Sequence, residues 1–302
     1  MIMGILSKIP TPGALLHAAF KHATFLPNSW YVRHEFKRTL GKRLNIKNPQ
    51  SFNDKITWIK LYERNPLMKV FADKYAVKQH VAKILGNDYV IPLYGAWDSF
   101  DEIDFDTLPN QFVLKATNAG ACTGVVICTD KETFDRDAAR IRLNKALKED
   151  LYILGREWAY KGMHKRIIAE KLVQDSHGDL KDYKLFCCNG EPKFMSIDYN
   201  RSSDHRSIYL DMNWNRLPYD DPGLKAPEGH IEQKPEGFDR MLEIARMFAK
   251  DFTFLRVDFY NVDGHIYVGE LTCYHGAGSY LFDPPSADLD LGSYLQLPKK
   301  GV

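Results

Sequence analysis

Arg256-Val-Asp258-Phe-Tyr260 runs into Asn261-Val-Asp263-Gly264 and returns through His265-Ile-Tyr-Val-Gly-Glu270-Leu-Thr272. Apolar residues alternate on both sides of an Asp-Gly dipeptide. That is the pattern of a β-hairpin, because Asp-Gly accepts the positive φ angles a two-residue turn demands. Side chains two apart on a strand share a face, so Arg256 and Asp258 do, and the reversal brings Glu270 beside Asp258. Two adjacent carboxylates repel unless a cation joins them. Hard oxygen ligands of this kind suit Mg²⁺, which typically takes one or two carboxylates plus substrate phosphates. A hairpin held by an Arg256 salt bridge, with no metal, satisfies the same pattern.

Working outward, short β-like runs recur at residues 89–97, 112–115, 125–128, 167–173, 183–188, 193–199, 254–260 and 265–271. Asn189-Gly190 supplies a second hairpin turn, and two-residue turns force antiparallel pairing. Helical periodicity appears after Ser51, whose spacing to Asp54 fits a capping box, and runs through Ile56, Ile59 and Leu61. It appears again from Met68 to Val81, from Lys131 to Leu151 and from Gly237 to Lys250. The expectation is an α+β fold with largely antiparallel sheets. Its parts are a basic N-terminal segment (1–48), a helical region (49–110), a lobe with a glycine-rich loop (111–175) and a C-terminal lobe (176–302).

Phe112-Val-Leu-Lys115 ends a strand in a cation, and the small-residue loop Asn118-Ala-Gly120-Ala-Cys-Thr123-Gly124 follows. Such a loop lets backbone N–H groups approach phosphate oxygens while a lysine supplies a point charge. An ordinary glycine-containing hairpin fits these residues too. In Arg166-Ile-Ile-Ala-Glu170-Lys171-Leu-Val173, two charges interrupt an apolar run. Burying them is costly without partners, which a nucleotide could supply; an edge strand with solvated charges is the alternative.

The chain has 302 residues, 44% of them hydrophobic and 26% charged, enough for one or two sizeable cores. No apolar run is long enough to span a bilayer and no secretion signal is evident, so a cytoplasmic protein is expected. Five cysteines without CxxC spacing read as reduced, mostly buried thiols. Residues 1–50 carry eight basic side chains against Glu35 alone, leaving the rest of the chain at −5 of the +2 total. That basic end is either a solvated surface or a peripheral contact with the inner face of a membrane. Nothing points to nucleic acid, and the oligomeric state is not legible.

In this order and spacing the pieces resemble the ATP-grasp superfamily, and more narrowly its TupA-like branch from bacterial surface-polysaccharide gene clusters. The resemblance spans residues 49–297 and rests on Ser51-Phe-Asn-Asp-Lys-Ile-Thr-Trp58, Ala72-Asp-Lys74-Tyr, Leu108-Pro-Asn-Gln-Phe-Val-Leu-Lys115, Tyr183-Lys-Leu-Phe186, Arg256-Val-Asp-Phe259 and Gly269-Glu-Leu-Thr272. It implies two lobes enclosing ATP. Lys115 and Lys171 would hold phosphates, the loop carrying Asn118, Gly120, Thr123 and Gly124 would cover them, and Glu170 with the backbone of Leu172 would read adenine. Asp182 would approach the ribose and Lys184 a phosphate. Asp258 and Glu270 would bind one or two Mg²⁺ ions, with Thr272 where many relatives have an amide. Arg256 would stabilise charge on the transferring phosphoryl group. Arg201, His205 and Arg206 are expected at the acceptor site, with His275 as a base.

The implied reaction joins a small-molecule or glycan carboxylate, such as a uronic acid, to an amine at the expense of ATP. A kinase that stops at phosphoryl transfer would use the same residues. A glycosyltransferase is a third reading, for which Asp104-Phe-Asp106 and Asp288-Leu-Asp290 offer DxD patterns. A polysaccharide-binding module without catalysis would have no use for Lys115, Asp258 and Glu270 together.

Overall fold

Pro27 and Gly41, the latter left-handed at φ 68°, bound the first helix, α1 (Asn28–Leu40), in a computed structural model that describes residues 24–298 apart from 121, 122, 177, 179 and 202. Two of its basic side chains, Arg33 and Arg38, find partners in the chain. Arg38 binds Glu35, Arg33 donates to the Leu44 carbonyl, and just beyond the helix Lys42 pairs with Asp288 at 2.5 Å. Tyr31, Val32 and Phe36 bury against Leu44, Ile46 and Leu61. Lys8 and Lys21, part of the basic expectation, lie outside the described residues. Among those residues no helix is long and apolar enough to cross a membrane.

Helix α2 (Phe52–Tyr62) begins where the capping residues place it: the Ser51 hydroxyl accepts from the Asp54 amide at 3.2 Å. Only half the capping box forms, because the Asp54 carboxylate accepts from the Asn45 amide instead. The helix expected over 68–81 is two helices, α3 (Leu67–Ala72) and α4 (Lys74–Leu85). Asp73 divides them, since its side chain caps the amides of Tyr75 and Ala76.

A four-stranded antiparallel sheet follows, in the order β1 (Leu93–Trp97), β4 (Ile167–Lys171), β2 (Phe112–Ala116), β3 (Val125–Cys128). The run beginning at residue 89 shortens to β1 because Asn87–Tyr89 form a 3-10 turn. The helix expected over 131–151 splits into α5 (Arg136–Lys148) and α6 (Leu151–Gly155), each capped by an aspartate, Asp135 and Asp150. Ala139, Leu143 and Ala146 of α5 close a small core over Phe112, Leu114 and Ala116.

The second sheet has five antiparallel strands in the order β7 (Arg206–Asp211), β6 (Glu191–Tyr199), β5 (Asp182–Cys188), β8 (Phe254–Val262), β9 (His265–Thr272). Asn189-Gly190 and Asp263-Gly264 turn its hairpins, all four residues at positive φ. Strand β7 was not foreseen: its apolar stretch, Ile208 to Leu210, is short and flanked by charges. Helix α7 (Phe238–Ala249) buries Phe238, Met241, Ile244, Ala245 and Phe248 at helical spacing and packs on β5, β6 and β8. Each of the larger side chains, Phe238, Met241, Ile244 and Phe248, is worth about 2 kcal/mol of transfer free energy. The last helix is α8 (Ala287–Ser293). Cys128, Cys187, Cys188 and Cys273 are buried free thiols.

Candidate functional site

Strand alternation sorts the larger sheet into an apolar face and a polar one. The polar face presents Asp182 and Lys184 from β5, Ser196 and Asp198 from β6, Tyr209 from β7, Arg256 and Asp258 from β8, and Glu270 and Thr272 from β9. Most of these line a cavity of about 560 Å³, within the range of ligand pockets. Its opposite wall is the smaller sheet, with Lys115 and Glu170, and helix α4, with Lys74 and Lys78.

On that wall Glu170, 1% exposed, lies between Lys115, in direct contact, and Lys78, 2.9 Å away. Burial alone would push its carboxyl up, but the two ammonium groups outweigh that and hold it at about 2. Burial in turn lowers Lys78 below the ordinary lysine value. The strand neighbour Lys171 points the other way: it is exposed and does not line the cavity. The structure therefore places Lys78, from a helix, beside Lys115. Leu172 follows directly at the end of β4.

In the glycine-rich loop, Gly120 and Thr123 line the cavity, and the Thr123 hydroxyl and amide both donate to the Gly120 carbonyl. Asn118 turns inward, its amide donating to the carbonyls of Ala146 and Glu149 and fastening the loop to the end of α5. Gly124 is required by packing, since a Cβ there would come within 2.6 Å of Ala119 and 2.9 Å of Ala116 and Ala146.

Across the cavity, Asp258 and Glu270 are direct cross-strand partners. Arg256 grips Asp258 with two hydrogen bonds of 2.6 and 2.7 Å and donates a third, at 2.9 Å, to His275 Nδ1. Burial raises the Asp258 carboxyl to about 7 against the pull of Arg256, with Asp182 and Glu270 adding to the rise. Glu270 is held low chiefly by Lys74, 3.6 Å away. The buried Asp182 Oδ1 and Thr272 Oγ1 have no hydrogen-bond partner. Two facing carboxylates with these free oxygens fit a hard divalent cation such as Mg²⁺. Among the described residues no group of three or more His, Cys, Asp or Glu is arranged to hold a metal by itself.

His275 is buried and uncharged, lowered well below the usual histidine value by burial, Arg256 and Lys184. Because Arg256 donates to Nδ1, the ring proton sits on Nε2, which has no partner and is a donor; a proton-accepting role at that atom does not fit. Lys184 lines the cavity between Asp182, at 3.6 Å, and Asp198, in closer contact. These acids raise it against burial. Arg201 also lines the cavity and reaches Asp182 at 3.3 Å. His205 sits 3.3 Å from Asp198, and Arg206 turns to Asp204 and the Lys225 carbonyl; neither lines the cavity.

The two DxD segments serve the fold. Asp104 caps its own turn at Asp106, and Asp288 binds Lys42 and the Asn53 amide. Sequence reasoning quoted the segment of Lys74 without giving that lysine a role and missed Lys78. Their i, i+4 spacing behind the Asp73 cap was a usable signal, because lysines one turn apart share a helix face. It also missed Tyr209 and Asp221, which no local motif marks.

Residues 54–296 match the family described as TupA-like ATPgrasp. No curated protein sequence matches the chain. Among solved structures, the D-alanine-D-alanine ligase of Helicobacter pylori is 16% identical at a TM-score of 0.43, with 82% of this chain and 70% of that chain covered. The D-alanine–D-alanine ligase of Bacillus anthracis is 17% identical at 0.41, over 74% of this chain and 63% of that one. The D-cycloserine synthetase DcsG is 15% identical at 0.40, over 76% and 72%.

Proposed function

Since the chain belongs to the TupA-like ATP-grasp family, we propose that it is an ATP- and Mg²⁺-dependent ligase that joins a carboxylate to an amine. The observation that carries the reading is one cavity with a lysine cluster on one wall and the Asp258–Glu270 pair on the other. We assign residues 111–175 to the lobe that covers ATP and 176–302 to the lobe that holds metal and acceptor.

Lys115, Lys78 and Lys74 neutralise the phosphates, with Glu170 fixing the first two in place. Adenine lies along Ile91 and Val125, and the backbone at Leu172 offers it a hydrogen-bonding edge. A bound Mg²⁺, held by Asp258 and Glu270, would neutralise phosphate charge. Arg256, fixed by Asp258 and His275, faces the charge that builds on the transferring phosphoryl group. A substrate carboxylate oxygen attacks the γ-phosphorus and ADP leaves. An amine that arrives as ammonium first gives one proton to water; its nitrogen then attacks the acyl carbon, phosphate departs with the C–O bonding electrons, and the second proton on nitrogen also passes to water. The acid is proposed to be a uronic acid or another carboxylate of a bacterial surface polysaccharide, on the strength of the family resemblance. The protein would then work in the cytoplasm.

Mass spectrometry of products from ATP, Mg²⁺, a panel of uronic acids and a panel of amines tests this. An amide with ADP and phosphate, formed only when acid and amine are both present, is expected. A stable phosphoester made without amine would replace the ligase by a kinase.

A further inference from the structure

Four buried carboxylates line the cavity: Glu170, Asp182, Asp221 and Asp258. Three have cations within reach, Lys115 and Lys78 for Glu170, Arg201 and Lys184 for Asp182, and Arg256 for Asp258. Asp221, 7% exposed, has none within 4 Å among the described residues. Its carboxylate accepts from the Tyr209 hydroxyl at 2.7 Å and is hydrogen-bonded by Tyr280 as well, both of them uncharged partners. A carboxylate taken out of water without a counter-charge is costly, so its position at a cavity wall calls for a donor from the ligand.

The surroundings supply a second sign. His275, 6% exposed and lining the same cavity, carries an unpartnered Nε2 donor, and its ring lies 4.3 Å from that of Tyr280. Tyr280 and Tyr209 line the cavity beside Asp221. An uncharged donor and a lone carboxylate, flanked by aromatic faces, form a subsite away from the lysine cluster. Aromatic faces and a carboxylate together favour a cation.

We propose that Asp221, with Tyr209 and Tyr280, recognises the acceptor amine in its cationic form. The inference rests on the ligase reading, because it assigns that reaction's second substrate to one end of the cavity. Asp221 is a specificity residue for charge: it favours an ammonium over a hydroxyl of the same size.

Ligand-observed NMR on the full chain with Mg²⁺ and a non-hydrolysable ATP analogue tests this, using ethanolammonium and its neutral counterpart ethylene glycol as probes. The wild type is expected to bind ethanolammonium at least about tenfold more tightly than glycol, the size of one charge-assisted hydrogen bond. Asp221→Asn should bring the two within about twofold while binding the ATP analogue normally. A wild type that does not prefer the cation, or an Asp221→Asn variant that keeps the preference, overturns the proposal. Tyr209→Phe provides a check that leaves the carboxylate in place. It should change ethanolammonium affinity without changing glycol's, and unchanged ethanolammonium affinity also overturns the proposal. Failure of the wild type to bind the ATP analogue would instead remove the ligase reading.

Discussion

Replacing Glu170 by glutamine tests the reasoning about the lysine wall most directly. The substitution keeps the shape and deletes the charge that Lys78 and Lys115 share. Lys78 is 6% exposed, so it gains little from solvent screening once its partner is gone. Removing one partner of a buried ion pair costs about 3–5 kcal/mol. Lys115 is more open to water, with a side chain 21% exposed, which puts the expected loss at the low end, about 3 kcal/mol at pH 7. Deleting the buried ammonium as well, in Lys78→Met with Glu170→Gln, removes the stranded charge and should recover about 2 kcal/mol of that loss. Urea unfolding at pH 7 reads both as midpoint shifts. The wild type adds a pH signature. Glu170 has a folded value of about 2, below its unfolded one, so its contribution is present above pH 4.5 and is lost as pH falls from 4.5 towards 2. The Glu170→Gln variant should lack that component. A single variant as stable as the wild type, or a double variant no more stable than the single, would refute the account of the cluster.

Lys115→Ala and Glu270→Gln should each lower ADP formation by at least about a hundredfold, as loss of a charge-stabilising group at a transition state does, with near-native circular dichroism; full turnover in either removes the site assignment. Arg256→Lys breaks the bidentate grip on Asp258 and the bond to His275, so turnover should fall by about 10²-fold with ATP affinity little changed, checked by steady-state kinetics. His275, held low in the folded state, contributes stability that is present above its unfolded value near pH 6.5 and lost as pH falls below it. Thermal unfolding of His275→Gln should be less pH-dependent between pH 6.5 and 5 than the wild type, by up to about 1.4 kcal/mol per pH unit, and equal slopes would contradict this. Gly124→Ala overpacks the loop against three alanines and should cost about 1–3 kcal/mol in urea unfolding.

The hairpin from Arg256 to Thr272 was legible because its turn chemistry and alternation are local. The same holds for the Asn189-Gly190 turn and for the start of α2 at Ser51. Strand β7 escaped because three apolar residues between charges do not stand out from a loop. The direction of Lys171 follows from alternation once Glu170 is known to face the cavity, but sequence alone does not say which neighbour faces in. Lys78 left only its one-turn spacing from Lys74 as a signal, and Asp221 left none, since it gains its meaning from elements brought together only in the folded chain. Asn118 looked like a loop residue for phosphate and proved to be a clamp on α5, because the carbonyls ending that helix needed donors.

The loop that carries His275, Gly276, Ala277 and Tyr280 into the cavity has two backbone bonds of its own, Ala277 to Tyr274 and Ser279 to Gly276, and is fastened from outside as well. Helix α2 grips it through one face: Asn53 exchanges bonds with Tyr280, Thr57 donates to the Gly278 carbonyl at 2.9 Å, and Lys60 to the Ala277 carbonyl at 2.6 Å. Gly278 is matched to that grip, since a Cβ there would come within 2.4 Å of the Thr57 hydroxyl. Anyone grafting this loop onto a related enzyme to transplant acceptor choice would have to carry α2 with it, as the two segments, more than two hundred positions apart, behave as a single interchangeable cassette.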